Sequence, residues 1–283
     1  MAEDHPSSAA TTDLKANVER FMGFADVYDA ARPTPPADLV DLLLRYAGRT
    51  RAACVADIGC GTGLSTWLWQ GKADEVVGVE PSTDMLAQAE KGRALYPDGA
   101  SNVRFVNALS TATGLPDSSV DIVTVSQALH WMDPTPTFAE AVRILRPGGL
   151  FVAYDCDWPP ATGCWEAEQR YTDWLKEVKA VGRQRDLYRD VKKWEKEEHL
   201  GRMAASGLFR WVRELIVHSD QETGDARRLL QLALSQGHVA TVRKAGVSDD
   251  ELGIGALLDQ FTQWMGTEPR PWVWGYRVRL GVK

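Results

Sequence analysis

Three glycines at alternate positions, Gly59, Gly61 and Gly63, close the apolar run Val55-Ala56-Asp57-Ile58 and carry the clearest chemical signal in the chain. Residues without Cβ can take φ > 0 and leave backbone bare for close approach by a ligand. Asp57 stands just ahead of this turn, where its charge would repel a pyrophosphate and suits a cationic amine or a sulfonium. A second strand, residues 75–80, ends in Glu80. An acid at the tip of the neighbouring parallel strand can accept both hydroxyls of a ribose. The combination predicts a cradle for an adenosine joined to an amino acid. A nicotinamide dinucleotide is the rival ligand, but its fingerprint wants a glycine at position 64, where this chain has Leu64.

The elements that must position these groups follow from periodicity. Apolar spacing predicts helices over 18–28 and 37–47, separated by the breaker run 32–36. Strands are expected at 53–58, 75–80, 103–107, 120–126 and 149–155, with helices at 65–70, 82–92 and 135–145 between them. Strands alternating with helices imply parallel pairing, hence an α/β, doubly wound sheet. The strands are apolar throughout, as expected where both sheet faces are covered. Beyond Trp158 the pattern changes to a charged helical stretch over 164–198, a strand at 209–218, a helical stretch at 225–265 and a strand at 272–281.

Four ordered segments, VADIGCGTG (55–63), VVGVEPSTDML (76–86), GLPDSSVDIVTVSQALHWMD (114–133) and ILRPGGLFVAYD (144–155), resemble the class I S-adenosylmethionine (SAM) dependent methyltransferases. The likeness runs continuously over about residues 20–155. The ending WVWGYRVRLGVK (272–283) is similar to the family's last strand, and the YDAARP (28–33) and ALHW (128–131) segments resemble a branch that methylates small molecules. The resemblance implies a seven-stranded Rossmann-like sheet whose last two strands form an antiparallel edge. It divides the chain into a disordered tail (1–15), a SAM-binding core with N-terminal lid helices (16–158), and helical insertions over the carboxyl ends of the strands plus the last two strands (159–283).

By the same resemblance, SAM is the cofactor, held by Asp57, Gly59, Gly61, Gly63, Glu80, Pro81 and Met85, with Met85 covering one face of the adenine. Ser126 and Gln127 are implied to run under the methionine part, and His130 and Trp131 to stand where donor and acceptor meet. His130 is a candidate base, since histidine changes charge nearest neutral pH. Arg32 is implied to pair with the methionine carboxylate, with Tyr28 beside it or orienting the acceptor. The family's usual acid at the adenine edge is missing from Val106-Asn107-Ala108-Leu109-Ser110, which leaves Ser110 or backbone groups for that task. Tyr154, Asp157 and Trp158, at the mouth of the fifth strand, are candidate walls for the acceptor. Most of the 11 tryptophans follow residue 150; aromatic walls favour a flat, indole- or phenol-like acceptor methylated at carbon, nitrogen or oxygen. A small organic acid is the alternative, and an NAD(P)-dependent oxidoreductase or a binding module without catalysis are lesser ones.

Bulk properties set outer bounds. Hydrophobic content of 44% and charged content of 25% describe an ordinary globular chain of 283 residues. A net charge of −7 argues against a nucleic-acid partner, and the basic residues between 183 and 213, interleaved with acids, read as a solvated face. The four cysteines, 54, 60, 156 and 164, show no metal-ligand spacing, so no metal is expected. No apolar run reaches transmembrane length and no secretory signal is visible, so a cytoplasmic protein, monomer or homodimer, without membrane contact is expected.

Overall fold

A computed structural model describes residues 15–19, 32–95 and 100–283. Tyr28, the proposed tail and most of the proposed helix over 18–28 lie outside the described residues. The elements, in order, are α1 (Lys15–Glu19), α2 (Ala37–Tyr46), β1 (Ala52–Ile58), β2 (Ala73–Val79), α3 (Thr83–Lys91), β3 (Val103–Val106), β4 (Val120–Ser126), α4 (Pro134–Ile144) and β5 (Leu145–Cys156). Then come α5 (Trp165–Gln184), α6 (His199–Ala205), β6 (Trp211–Gly224), α7 (Ala226–Leu234), α8 (Gly237–Lys244), α9 (Ile254–Met265) and β7 (Arg270–Val282).

One seven-stranded sheet has the order β3-β2-β1-β4-β5-β7-β6. The first five strands pair in parallel, and β7 runs antiparallel between β5 and β6. The doubly wound, Rossmann-like architecture expected from the alternation is therefore present. Strand order reverses between β1 and β4, which opens the crevice where ligands of such sheets sit.

Strand residues alternate between two apolar layers. Val55, Val76, Ile122 and Val152 face a core shared with α2 and with α5, α7, α8 and α9. Ala56, Val77, Val123, Phe151 and Ala153 face a second core closed by Phe138 and Ile144 of α4 and by Phe209. The insertion helices are anchored deeply: Trp174 of α5 is 1% exposed, and its indole donates to the Leu252 carbonyl at 2.7 Å. Truncating such an indole costs about 3–5 kcal/mol, so α5 is held as firmly as the sheet.

Two elements differ from expectation. The helix at 65–70 is one 3-10 turn, Thr66–Trp69, because Ser65 and Thr66 are tied back to Asp57 and Gly71 (φ +76) ends it. The helical stretch at 164–198 stops at Gln184. Asp186 takes φ +54 there, and the Tyr188 ring folds back onto Gly182, where a Cβ would collide with it. The chain reverses and leaves residues 185–195 as a loop before the short turn Lys196–Glu198.

Candidate functional site

At the switch point between β1 and β4 a cavity of about 800 Å³ opens, a volume ordinary for small-molecule sites. Its floor is the glycine turn. Gly59 has φ +69, and an added Cβ would strike the Met132 methyl and the Ala128 Cβ. Gly61, at φ +55, faces open space inside the cavity, so its backbone is bare to whatever binds. Gly63 lies off the wall, against Trp67.

Beneath the turn sits Asp57, fully buried. Its carboxylate accepts from Thr124 Oγ1 at 2.7 Å, Thr66 Oγ1 at 2.7 Å and Ser65 Oγ at 3.4 Å. Burial pushes its pKa up to about 6 against the pull of those hydroxyls. Asp57 therefore has no surface on the cavity, contrary to a direct role toward a cationic ligand; three hydroxyls take the place of that ligand, and the acid shapes the turn from below. Tyr154 is also displaced from its expected place on the wall. It is 2% exposed, and its hydroxyl is shared with Ser65 under the same turn.

Along one side stand Glu80, Pro81 and Met85. The Glu80 carboxylate accepts from the Gly61 amide at 3.1 Å and the Ser82 amide at 3.0 Å, which ties the end of β2 to the glycine turn. Burial raises its pKa, and the nearby Asp57 charge adds to the rise. Ser82 caps α3 by accepting from the Met85 amide, fixing where the Met85 side chain enters the wall. Ser110 also lines the cavity, its hydroxyl 3.0 Å from that of Thr137.

The loop after β4 supplies Ser126, Gln127, His130 and Trp131. Gln127 takes φ +54, a conformation that non-glycine residues seldom adopt. Its amide donates to the Tyr154 carbonyl at 2.8 Å, and its side chain lies between Cys156 Sγ and Lys196 Nζ. His130 is 6% exposed, with Nδ1 3.5 Å from Asp155 Oδ1. Burial and then the Lys196 charge push its pKa down to about 3. A neutral imidazole that resists protonation so strongly is a poor proton acceptor near pH 7, so the expected base at His130 loses its chemical footing.

Asp155 is the hub of a buried charge chain. Lys196 Nζ lies 2.8 Å from its Oδ1 and Arg279 Nη1 3.0 Å from its Oδ2, while Arg279 Nε lies 2.9 Å from Glu214. Burial opposes the charge on Asp155, but Lys196 and His130 overcome it and hold the pKa well below the usual carboxylate range. Lys196 is thereby pulled onto the sheet. The Trp194 amide donates to the His130 carbonyl at 3.0 Å, and Asn17 bridges the Trp131 and Lys192 carbonyls at 2.9 and 2.7 Å. Three distant segments are thus clamped over the cavity mouth.

The roof comes from α5 and the following loop. Thr172, Leu175, Lys176, Lys179 and Arg183, at helical spacing, join Lys193 and Lys196 on the wall. Arg183, Lys193 and Lys196 therefore form part of a cavity wall, where the sequence suggested only a solvated face. Trp158 lies on the wall with the Arg32 guanidinium 4.7 Å over its ring, and Arg32 also donates to the Ser235 carbonyl at 2.9 Å. Asp157 reaches the rim and pairs with Arg277 at 3.1 Å.

Of the expected residues, then, Arg32, Gly59, Gly61, Glu80, Pro81, Met85, Ser110, Ser126, Gln127, His130, Trp131, Asp157 and Trp158 converge on one cavity, while Asp57, Gly63 and Tyr154 lie behind it. Asn17, Tyr171 and the α5 cations were missed. The signal for the last was present as basic residues three and four apart on one helix face. No helix among the described residues is long and apolar enough to cross a membrane.

A methyltransferase-domain family model matches residues 56–153. An uncharacterised methyltransferase of Mycobacterium tuberculosis is 34% identical over 173 residues, which is 60% of this chain and 62% of the relative. The candidate SAM-dependent methyltransferase CRG1 of Saccharomyces cerevisiae is 36% identical over 128 residues, 44% of this chain and 42% of that protein. In three dimensions, a candidate type II methyltransferase from Anaeromyxobacter dehalogenans superposes with a TM-score of 0.61 at 23% identity, covering 89% of this chain and 97% of that one. Residues 56–153 thus form a methyltransferase domain, similar to those of class I SAM-dependent methyltransferases. The chain's match spans less than two thirds of the curated relatives' own length.

Proposed function

We propose that the protein transfers a methyl group from SAM to a small molecule bound in the cavity between the glycine turn and α5. One observation carries this reading: the bare Gly61 backbone, the Glu80 carboxylate and the Ser126–Trp131 loop open into one cavity at the sheet's switch point. An adenosine joined to an amino acid fits these groups. Glu80 accepts from the ribose hydroxyls, Met85 covers one face of the base with Ser110 at its edge, and the turn at Gly59 and Gly61 lies under the amino-acid part. Arg32 takes the terminal carboxylate, for which its forked guanidinium is suited.

Bound there, SAM supplies an electrophilic methyl on a sulfonium. The chain's own work is positional: the floor fixes the donor side and the roof fixes the acceptor side, so that the reacting atoms meet in line. Contacts of Asn17, Trp194 and Lys196 hold the segments around the cavity together. His130 being a weak base, this reading has the acceptor present its own lone pair or arrive already ionised. The rings of Trp131, Trp158, Tyr171 and Tyr188 on the wall favour a flat acceptor.

Titration calorimetry tests the donor half. Binding of SAM in the micromolar range is expected, weakened about tenfold or more in Glu80→Gln, the loss expected for a charge-assisted hydrogen bond. Wild-type affinity in that variant would refute the ribose assignment.

A further inference from the structure

We infer that the acceptor carries an anionic group, a carboxylate or a phosphate, seated on Lys179 and Arg183 of α5 together with Lys193 of the loop that follows. The inference rests on the methyltransferase reading of the same cavity and names the chemistry of its unassigned half.

The chain as a whole is acidic, at −7, yet its roof concentrates cations. Lys176, Lys179, Arg183, Lys193 and Lys196 all line the cavity. Two are neutralised internally: Lys196 by Asp155 at 2.8 Å and Lys176 by Asp173 at 2.9 Å. The Lys179 ammonium and the Arg183 guanidinium are in no ion pair or hydrogen bond with any described residue. Lys193 stands 5.8 Å over the Trp131 ring, with its ammonium pKa lowered by burial and then by the charge of Lys179. Two like charges, Lys179 and Lys193, therefore act on each other beside Trp131, and Arg183 lies one helical turn from Lys179 along α5.

The acids on the wall do not answer them. Glu80 is occupied by the Gly61 and Ser82 amides at the donor end, and Asp157 by Arg277 at the rim. Glu197 is the remaining acid on that wall, and its charge with that of Glu195 offsets part of the Lys193 repulsion without an ion pair to Lys193 among the described residues. Like charges at helical spacing disfavour the helix that carries them, and clustering them over a partly desolvated cavity is costly without a counter-ion. A solvated face would explain lysines turned to bulk water. Arg183 and Lys193 are exposed at the cavity's edge, while the half-buried Lys179 shares the same wall with Thr172, Leu175 and Trp131. An anion between Lys179, Arg183 and Lys193 satisfies them together, with its apolar body against Trp131.

The test is calorimetry on the protein saturated with S-adenosylhomocysteine. The titrants are benzoate, indole-3-acetate, succinate and phenyl phosphate, with benzamide, indole-3-acetamide, succinamide and phenol as neutral counterparts. At least one acid should bind about tenfold or more tightly than its counterpart, with affinity falling as salt rises. Preference for the carboxylates or for phenyl phosphate identifies which anion is recognised. The Lys179→Gln/Arg183→Gln variant, altered only at side chains outside the core, should lose about tenfold or more for that acid while keeping its affinity for S-adenosylhomocysteine. Equal binding of acids and neutral counterparts, no binding of any acid, or undiminished acid binding in the double variant would overturn the inference. Failure of S-adenosylhomocysteine to bind would strike the methyltransferase reading instead, and the same titrations on the unloaded protein would still decide the anion.

Discussion

The floor of the cavity is built from short, backbone-rich turns whose polar groups are satisfied from beneath, whereas its roof is built from long cationic side chains that find few partners. Under the floor, Asp57 takes three hydroxyls and Glu80 takes two backbone amides. On the roof, Lys179 and Arg183 find no carboxylate among the described residues, while Lys196 is paired with buried Asp155 and Lys176 with Asp173. A floor completed by its own chain can hold one fixed ligand with little rearrangement. A roof that lacks counter-charges is completed by what it binds. On the proposed function, the donor half of the site is in this sense self-sufficient, and the acceptor half is not.

The sharpest way to break that contrast is at the strut joining the halves. Asp155→Ala leaves Arg279 and Lys196 without their shared carboxylate, and removing one partner of a buried ion pair costs about 3–5 kcal/mol. A fall of that order in urea-unfolding free energy is expected, with loss of acceptor turnover; a stability unchanged within error would mean the charge chain is not a support.

Gly59→Ala attacks the floor alone. A Cβ at φ +69 against Ala128 and Met132 should destabilise the fold by about 1–3 kcal/mol and weaken SAM binding, read by the same unfolding experiment and by calorimetry. Undisturbed binding would show the turn to be more pliant than its packing indicates.

Acid should probe the clamp. His130 and His199 have pKa values pushed down to about 3 and about 4 from 6.5, each first by burial. The folded protein resists protonating them, so their contribution to stability is full above about pH 6.5 and is lost as pH falls toward those values. Asp57, raised to about 6 from 3.8, runs the opposite way: its cost is full above pH 6 and is relieved as pH falls. Each group changes stability by about 1.4 kcal/mol per pH unit inside its window. Replacing His130 by Asn should therefore make the protein about 2 kcal/mol less sensitive to acidification from pH 6.5 to 5, measured by urea unfolding at both pH values. An unaltered acid sensitivity would place the imidazole in water.

The smallest effect is expected far from both halves. Arg104→Gln removes a half-exposed ion pair with Glu75 at the β2–β3 edge, and stability should change by at most about 1 kcal/mol in thermal unfolding, with SAM affinity untouched. A larger loss would mean the edge strand supports the site.

How far the site was legible in the sequence follows the same division. Glycines at 59 and 61 are legible because positive φ and close approach admit few other residues, and Glu80 because it ends a strand beside them. Parallel pairing in a doubly wound sheet followed from strands alternating with helices, and the antiparallel edge from the family resemblance. Asp57 was misread: its type and place are those of a ligand contact, but only the fold reveals that Ser65, Thr66 and Thr124 reach it first. Tyr154 was misjudged likewise, since strand alternation turns it beneath the turn. The roof was the least legible part. Basic residues three and four apart on a helix look alike whether they face water or a cavity, and the difference is set by the reversal at Asp186 that brings Lys193 back over Trp131 and Lys196 onto Asp155. His130 was found by position, but its proton chemistry depends on burial and on Lys196, which lies 66 positions away in the chain.

The most direct measurement is a crystal structure of the protein grown with saturating S-adenosylhomocysteine. The nucleoside is expected along the Gly59–Gly61 turn, with both ribose hydroxyls within hydrogen-bonding distance of Glu80 and the thioether sulfur turned toward the space beneath α5. Density for the nucleoside elsewhere on the molecule, or a ribose that ignores Glu80, would contradict the account.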